Sequence, residues 1–76
     1  MPNVALGLEF DNSVYYKNFR FNHLPDHLQV VSIPFYSLAK ATYERMNPSS
    51  AHSVTETEAA LRKLVEAKDC AVRAVL

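Results

Sequence analysis

The chain has 76 residues, with eight basic and eight acidic side chains, one Gly, one Cys and no Trp. A content of 49% hydrophobic and 21% charged residues is typical of a globular domain, which excludes intrinsically disordered and fibrous proteins. The zero net charge argues against a duplex-DNA binder, because affinity for phosphate backbones comes from clustered Lys and Arg. We therefore expect one domain, residues 1–76, that does not bind long nucleic acid.

A domain of this size needs stability from outside its own core, because it buries only roughly 60% of the surface that its unfolded chain exposes. Disulfides cannot supply it, since Cys70 is the only cysteine, and this usage fits a reducing cytoplasm. The chain has no apolar run of the ~20 residues that span a membrane and no signal peptide pattern. We expect a cytoplasmic homo-oligomer.

The N-terminal quarter has the pattern of a β-hairpin. Apolar side chains alternate along residues 4–10, which is the period of a strand with one buried face. Residues 11–13 are Asp-Asn-Ser, which favour a turn, and residues 14–21 are rich in aromatic and β-branched types. The sequence predicts a β-hairpin over residues 4–21.

A first helix is predicted over residues 25–47. Pro25 suits the first helical position, where its missing N–H costs nothing. Apolar and small residues then keep helical spacing, at Leu28, Val31, Phe35, Leu38, Ala39, Thr42 and Met46. Pro34 interrupts this stripe and removes one backbone hydrogen bond, so we expect a kink near Pro34 or two abutting segments.

A second helix is predicted over residues 53–76, after a loop at residues 47–52. Ser53 and Glu56 have the spacing of a capping box, in which each side chain bonds a backbone N–H at the helix start. Two long helices joined by so short a loop should pack as an antiparallel hairpin. The predicted fold class is therefore mostly α: an antiparallel two-helix hairpin preceded by a short β-hairpin.

Catalytic and metal-binding patterns are weak in this chain. His23 and His27 are four residues apart, but Pro25 lies between them and no third ligand is evident. The negative charge of Asp69 beside Cys70 disfavours a reactive thiolate, and the single Gly7 cannot build a phosphate-binding loop. We expect no enzyme activity, no metal and no cofactor.

One cluster has the character of a ligand site, because aromatic faces can stack on bases while interleaved cations contact phosphates. The alternative is that the aromatic side chains fill the core while the cations keep a strand edge soluble. The sequence leaves both interpretations open. The residues of the cluster are Tyr15, Tyr16, Lys17, Phe19, Arg20, Phe21 and His23.

Residues 19–76 resemble the hairpin domain shared by phage anti-CBASS and Thoeris anti-defence proteins. The first matching stretch is an aromatic segment with a His and a Pro, residues 19–25, followed by Gln29 in the first helix. The second is a Lys-Leu-x-Glu-Ala segment at residues 63–67, followed by alanine-rich turns. Members of this family commonly have a ligand-contacting arginine early in the second helix, where this chain has Thr55.

The resemblance implies a phage protein that sequesters a cyclic nucleotide immune messenger, a cyclic di- or trinucleotide or a cyclic ADP-ribose type, without degrading it. It implies a homo-oligomer, from a dimer up to a hexamer, in the cytoplasm of the infected bacterial host. Residue chemistry and matched positions together suggest three roles. Phe21 or Tyr16 would stack on a base, Arg20 and Lys63 would contact phosphate, and Thr55 or Arg62 would add polar contacts. The implied ligand-binding set is Tyr16, Arg20, Phe21, His23, Thr55, Arg62 and Lys63.

Two other classes of function fit the same sequence. A helical hairpin with leftover apolar residues can act as a protein–protein adaptor that has no small-molecule ligand. An accessory factor for nucleic acid is the third class, which the zero net charge disfavours.

Overall fold

The computed structural model describes residues 9–76. Two short 3-10 helices, Phe10–Asn12 and Tyr16–Asn18, precede two long helices, α1 (Asp26–Glu44) and α2 (Ala51–Ala74). The prediction of a mostly helical fold with two long helices is confirmed. No described helix is long and apolar enough to cross a membrane.

The predicted β-hairpin over residues 4–21 is wrong. Residues 9–21 form no strand, and the hydrogen bonds between their backbone groups run from an N–H to a carbonyl three or four residues back. Ser13 reinforces the first turn, since its hydroxyl donates to the Phe10 carbonyl at 2.7 Å and accepts from the Tyr15 N–H at 3.3 Å. These local hydrogen bonds take the place of the hydrogen bonds between strands that a β-hairpin would have. The first part of the predicted hairpin, residues 1–8, lies outside the described residues.

Helix α1 begins one residue later than predicted and ends at Glu44. Pro25 is its N-cap, and the Gln29 side-chain amide donates to the Leu24 carbonyl at 2.8 Å, which fixes the chain as it enters the helix. The helix continues through Pro34 as one element, so the alternative of two abutting segments is wrong. The kink itself remains a prediction.

Helix α2 begins at Ala51, two residues before the predicted start. Ser50 is the N-cap, and its side-chain oxygen accepts a hydrogen bond from the Ser53 N–H at 3.1 Å. Ser53 therefore lies inside the helix, and its hydroxyl accepts from the Asn47 N–H at 2.9 Å. The predicted capping box at Ser53 is wrong because Ser50 provides an equivalent cap one turn earlier.

The two helices pack against each other as an antiparallel hairpin. Tyr43, near the end of α1, lines the same pocket as Val54 at the start of α2. Ser32, earlier in α1, lines a cleft with Val72 near the end of α2. A connection of only residues 45–50 imposes this arrangement.

An aromatic cluster joins the N-terminal segment to α1. Phe10 is fully buried, and its ring lies 5.8 Å from the rings of Phe19, Tyr36 and Tyr43. Aromatic pairs at such tilted or edge-to-face geometry add stabilisation beyond the area that they bury. Among residues 9–76, the buried core consists of Phe10, Phe19, Ala39 and Leu61. A helical hairpin has too few faces to enclose a core, and the N-terminal segment provides the missing wall.

Candidate functional site

A cleft of about 360 Å³ lies between the N-terminal segment, α1 and the C-terminal half of α2. We call it the basic cleft. Its volume is within the range of small-molecule sites. The lining residues are Lys17, Asn18, Arg20, His23, Leu24, Ser32, Val65, Lys68, Asp69, Val72 and Arg73.

The charge of the basic cleft contrasts with the neutral chain. Four of the eight Lys and Arg residues line it, and they are opposed there by one carboxylate, Asp69. They come from two parts of the sequence: Lys17 and Arg20 precede α1, whereas Lys68 and Arg73 lie on α2. Convergence of cations from separate elements creates a positive potential that favours an anionic ligand.

Lys68 has a structural role as well as its charge. Its ammonium group donates to the Asn18 carbonyl at 2.7 Å and lies 3.7 Å from the Asp69 carboxylate. The side chain is only 16% exposed. Lys68 therefore fixes one wall of the basic cleft to the other, while Lys17 and Arg20 are exposed to solvent.

Ser32 is an unusual residue in the lining of the basic cleft. It is fully buried, and its hydroxyl has no hydrogen-bond partner among the described residues. An unpaired buried hydroxyl costs about 1–3 kcal/mol, so native proteins seldom retain one without a reason.

The structure brings together only part of the site predicted from the sequence. Arg20 and His23 line the basic cleft. Tyr16 and Phe21 contact the ring of Tyr36 instead, with centroids 6.2 and 5.4 Å away, and neither lines the basic cleft. These two aromatic side chains pack against the fold, which is the structural alternative that the sequence left open.

The three predicted residues on α2 also lie outside the basic cleft. Thr55 precedes Lys68 by 13 residues, which places it roughly 20 Å away along the helix axis. Lys63 is five residues before Lys68, so it points about 140° away around the helix. Arg62 is exposed, and its charge partly opposes the rise in the pKa of Tyr15 that burial of the Tyr15 hydroxyl causes.

Sequence reasoning missed Ser32, Lys68 and Arg73. Ser32 carried a usable signal, because it is a polar residue on the otherwise apolar face that includes Leu28 and Phe35. Lys68 and Arg73 carried none, since spacing within one helix does not reveal which segment packs against it.

A second, smaller pocket of about 220 Å³ lies at the other end of the hairpin, near the connection between the helices. Its lining includes Tyr15, Tyr43, Met46, Leu61 and Glu58. The pKa of Tyr15 is raised. Burial of its hydroxyl is the largest cause, and the hydrogen bond to the Glu58 carboxylate is the second. The charged residue in its lining is the acidic Glu58, so this pocket does not suit a phosphate.

No group of three or more His, Cys, Asp or Glu side chains that could hold a metal ion occurs within residues 9–76. Comparison of the chain with family models, with curated proteins and with solved structures found no match.

Proposed function

We propose that this protein binds a compact phosphorylated ligand in the basic cleft, and that the ligand is a cyclic nucleotide immune messenger. The protein would act in the cytoplasm of an infected bacterial cell as a homo-oligomer that captures the messenger without degrading it. The observation that carries the proposal is the convergence of Lys17, Arg20, Lys68 and Arg73 on one cleft of a neutral protein. The resemblance to phage anti-defence proteins supports the choice of messenger.

Phosphate groups fit this lining for a chemical reason. Arg20 and Arg73 offer planar sets of N–H donors that match phosphate oxygens, and Lys17 adds a mobile point charge. A cyclic nucleotide has one to three phosphates in a compact ring, so a few placed cations suffice. Long nucleic acid would need a far larger basic surface, which a chain of zero net charge does not provide.

Asp69 and Ser32 give the basic cleft features beyond charge. Asp69 is an acceptor among donors, so it suits an amino group on a base or a ribose hydroxyl. Ser32 adds a buried hydroxyl that has no hydrogen-bond partner among the described residues. This combination favours a nucleotide over inorganic phosphate alone.

Isothermal titration calorimetry against cyclic di- and trinucleotides and cyclic ADP-ribose isomers tests the proposal. We expect saturable heat with at least one of them, and recovery of that compound unchanged after the protein is denatured. The Lys17→Ala/Arg20→Ala variant should weaken binding by about 100-fold or more, since hydrogen bonds to charged groups contribute about 1.5–3 kcal/mol each. The absence of heat with every compound would reject the proposed function.

Arg62→Ala/Lys63→Ala is the matched control, because it removes two exposed cations outside the basic cleft. Binding that survives in this control but not in Lys17→Ala/Arg20→Ala assigns the ligand to the basic cleft. The reverse result would assign the ligand to Arg62 and Lys63 on α2. Both variants should retain the far-ultraviolet circular dichroism spectrum of the parent protein.

A further inference from the structure

The pocket near the connection between the helices differs in character from the basic cleft. We call it the tyrosine pocket, because Tyr15 and Tyr43 both line it. Its volume of about 220 Å³ is below the range of about 300–1,000 Å³ that is usual for drug-sized ligands. It is well above the ~30 Å³ that one water molecule takes in the liquid. A pocket of this size suits a small organic ion.

The tyrosine pocket is formed by three parts of the fold. Tyr15 belongs to the N-terminal segment, Tyr43 lies near the end of α1, and Leu61 lies on α2. Leu61 is fully buried, and the ring of Tyr43 lies 5.8 Å from that of the buried Phe10. The walls of the pocket are therefore held by core packing that exists without a ligand.

Most of the lining is aromatic or aliphatic. The rings of Tyr15 and Tyr43 are 5.9 Å apart and inclined at 57°, so the pocket has aromatic surface in two orientations. The face of an aromatic ring carries partial negative charge and attracts cations. Met46, Val54 and Leu61 add apolar surface. Such a lining suits a cation whose charge is surrounded by methyl groups, because methyl groups need no hydrogen-bond acceptors.

Glu58 gives the tyrosine pocket a negative charge. It is the charged residue among those that line the pocket. Burial is the largest cause of the raised pKa of Tyr15, Glu58 is the next, and the opposing effect of Arg62 is the smallest. Arg62 and Glu58 form no ion pair in the described part of the chain. At the Tyr15 hydroxyl the charge of Glu58 therefore outweighs that of Arg62.

We propose that the tyrosine pocket binds a small quaternary ammonium ion, with its methyl groups against the two tyrosine rings and its charge near the Glu58 carboxylate. An anion is disfavoured by Glu58. A primary ammonium group has three N–H donors to satisfy, and this largely apolar lining offers few acceptors. A neutral apolar molecule would gain nothing from the charge of Glu58.

This site is independent of the proposed function. The tyrosine pocket and the basic cleft have no lining residue in common, and they lie at opposite ends of the hairpin. Failure to bind a cyclic nucleotide would leave the tyrosine pocket unaffected. Failure to bind a quaternary ammonium ion would likewise leave the basic cleft testable.

Nuclear magnetic resonance titration of the full chain with choline tests the site. The neutral isostere 3,3-dimethylbutan-1-ol is titrated in parallel, with chloride held constant. We expect saturable shifts at Tyr15, Tyr43 and Leu61, with a dissociation constant of about 1 mM or tighter for choline. The alcohol should bind about threefold more weakly or worse. No saturable shift at these residues up to about 50 mM choline, or equal affinity for the alcohol, would overturn the proposal.

The role of the carboxylate is tested by Glu58→Gln, which removes the charge and keeps the shape of the side chain. Choline binding should weaken about threefold or more, whereas the affinity for the alcohol should stay the same. Glu66→Gln is the matched control, because it removes an exposed carboxylate of α2 outside the tyrosine pocket. An equal loss of choline binding in both variants would attribute the effect to net charge and overturn the role of Glu58.

The role of the aromatic face is tested by two substitutions of Tyr15. Tyr15→Phe keeps the ring and should bind choline within about twofold of the parent protein, whereas Tyr15→Leu should lose about threefold or more. Equal affinities of these two variants would overturn the contact with the ring. Circular dichroism checks that both are folded. Glu58 is exposed, so the charge test remains decisive even where Tyr15→Leu fails to fold.

Discussion

The carboxylate of Glu44 accepts a hydrogen bond from the backbone N–H of Phe10 at 3.1 Å, across 34 residues of sequence. Lys40, one turn earlier on α1, lies 3.2 Å from the same carboxylate and 4.0 Å from that of Asp11. Tyr36, one turn earlier again, donates its hydroxyl to Asp11 at 2.5 Å. Three successive turns of α1 therefore hold the N-terminal segment against the hairpin.

Replacement of Phe10 should strongly destabilise the fold. Phe10→Ala removes the ring at the centre of the aromatic cluster and should lower the free energy of unfolding by about 3–5 kcal/mol. That loss is comparable with the whole stability of about 4–11 kcal/mol expected for 76 residues. Urea denaturation followed by circular dichroism measures it. Val14→Ala, at a side chain 77% exposed, is the control and should change stability by less than about 0.5 kcal/mol.

Loss of the Glu44 carboxylate should also destabilise the fold. Glu44→Ala leaves the Phe10 N–H without its acceptor, which should lower the free energy of unfolding by about 1–3 kcal/mol. The same denaturation experiment measures it. Glu66→Ala alters an exposed carboxylate of α2 and should be close to neutral. Equal effects of the two substitutions would contradict a specific role for Glu44.

The Tyr36 hydroxyl should make stability depend on alkaline pH. Its hydrogen bond to Asp11, together with burial and the Asp11 charge, raises the pKa of Tyr36 to about 12. Because the folded state favours the protonated phenol, this contribution to stability is fully present below the unfolded pKa near 10 and is lost as pH rises toward 12. Spectrophotometric titration near 295 nm should show a late-ionising tyrosine. Asp11→Ala should shift that ionisation to lower pH, and an unchanged titration would contradict the assignment.

The N-cap of α2 can be located by substitution. Ser50→Ala removes the oxygen that accepts from the Ser53 N–H and should cost about 1 kcal/mol of stability. Ser49→Ala is the control, because only the backbone N–H of Ser49 takes part in a described hydrogen bond, to Asn47. Thermal unfolding of both variants compares them. Similar melting temperatures for the two variants would contradict Ser50 as the N-cap and favour Ser53, the position predicted from the sequence.

The candidate site was only partly predictable from the sequence. Arg20 and His23 were identified because they belong to a cluster of interleaved aromatic and basic residues just before a helix. Lys68 was not identified, since its role depends on the Asn18 carbonyl, 50 residues earlier. Tyr16 and Phe21 are aromatic whether they stack on a base or pack edge-to-face against Tyr36, and only the tertiary structure distinguishes the two.

The sequence by itself determined the two long helices and the hairpin that they form. Each helix depends on hydrogen bonds between residues four apart and on an apolar face with the same local period, so short windows of sequence contain that information. Tertiary structure decided the conformation of the N-terminal segment. Burial of Phe10 in the aromatic cluster on α1 stabilises this segment more than the pairing of two isolated strands would. Tertiary structure also decided where the charges lie. The zero net charge of the chain does not show how its charges are distributed over the surface. Packing nevertheless brings half of its Lys and Arg side chains together in one cleft.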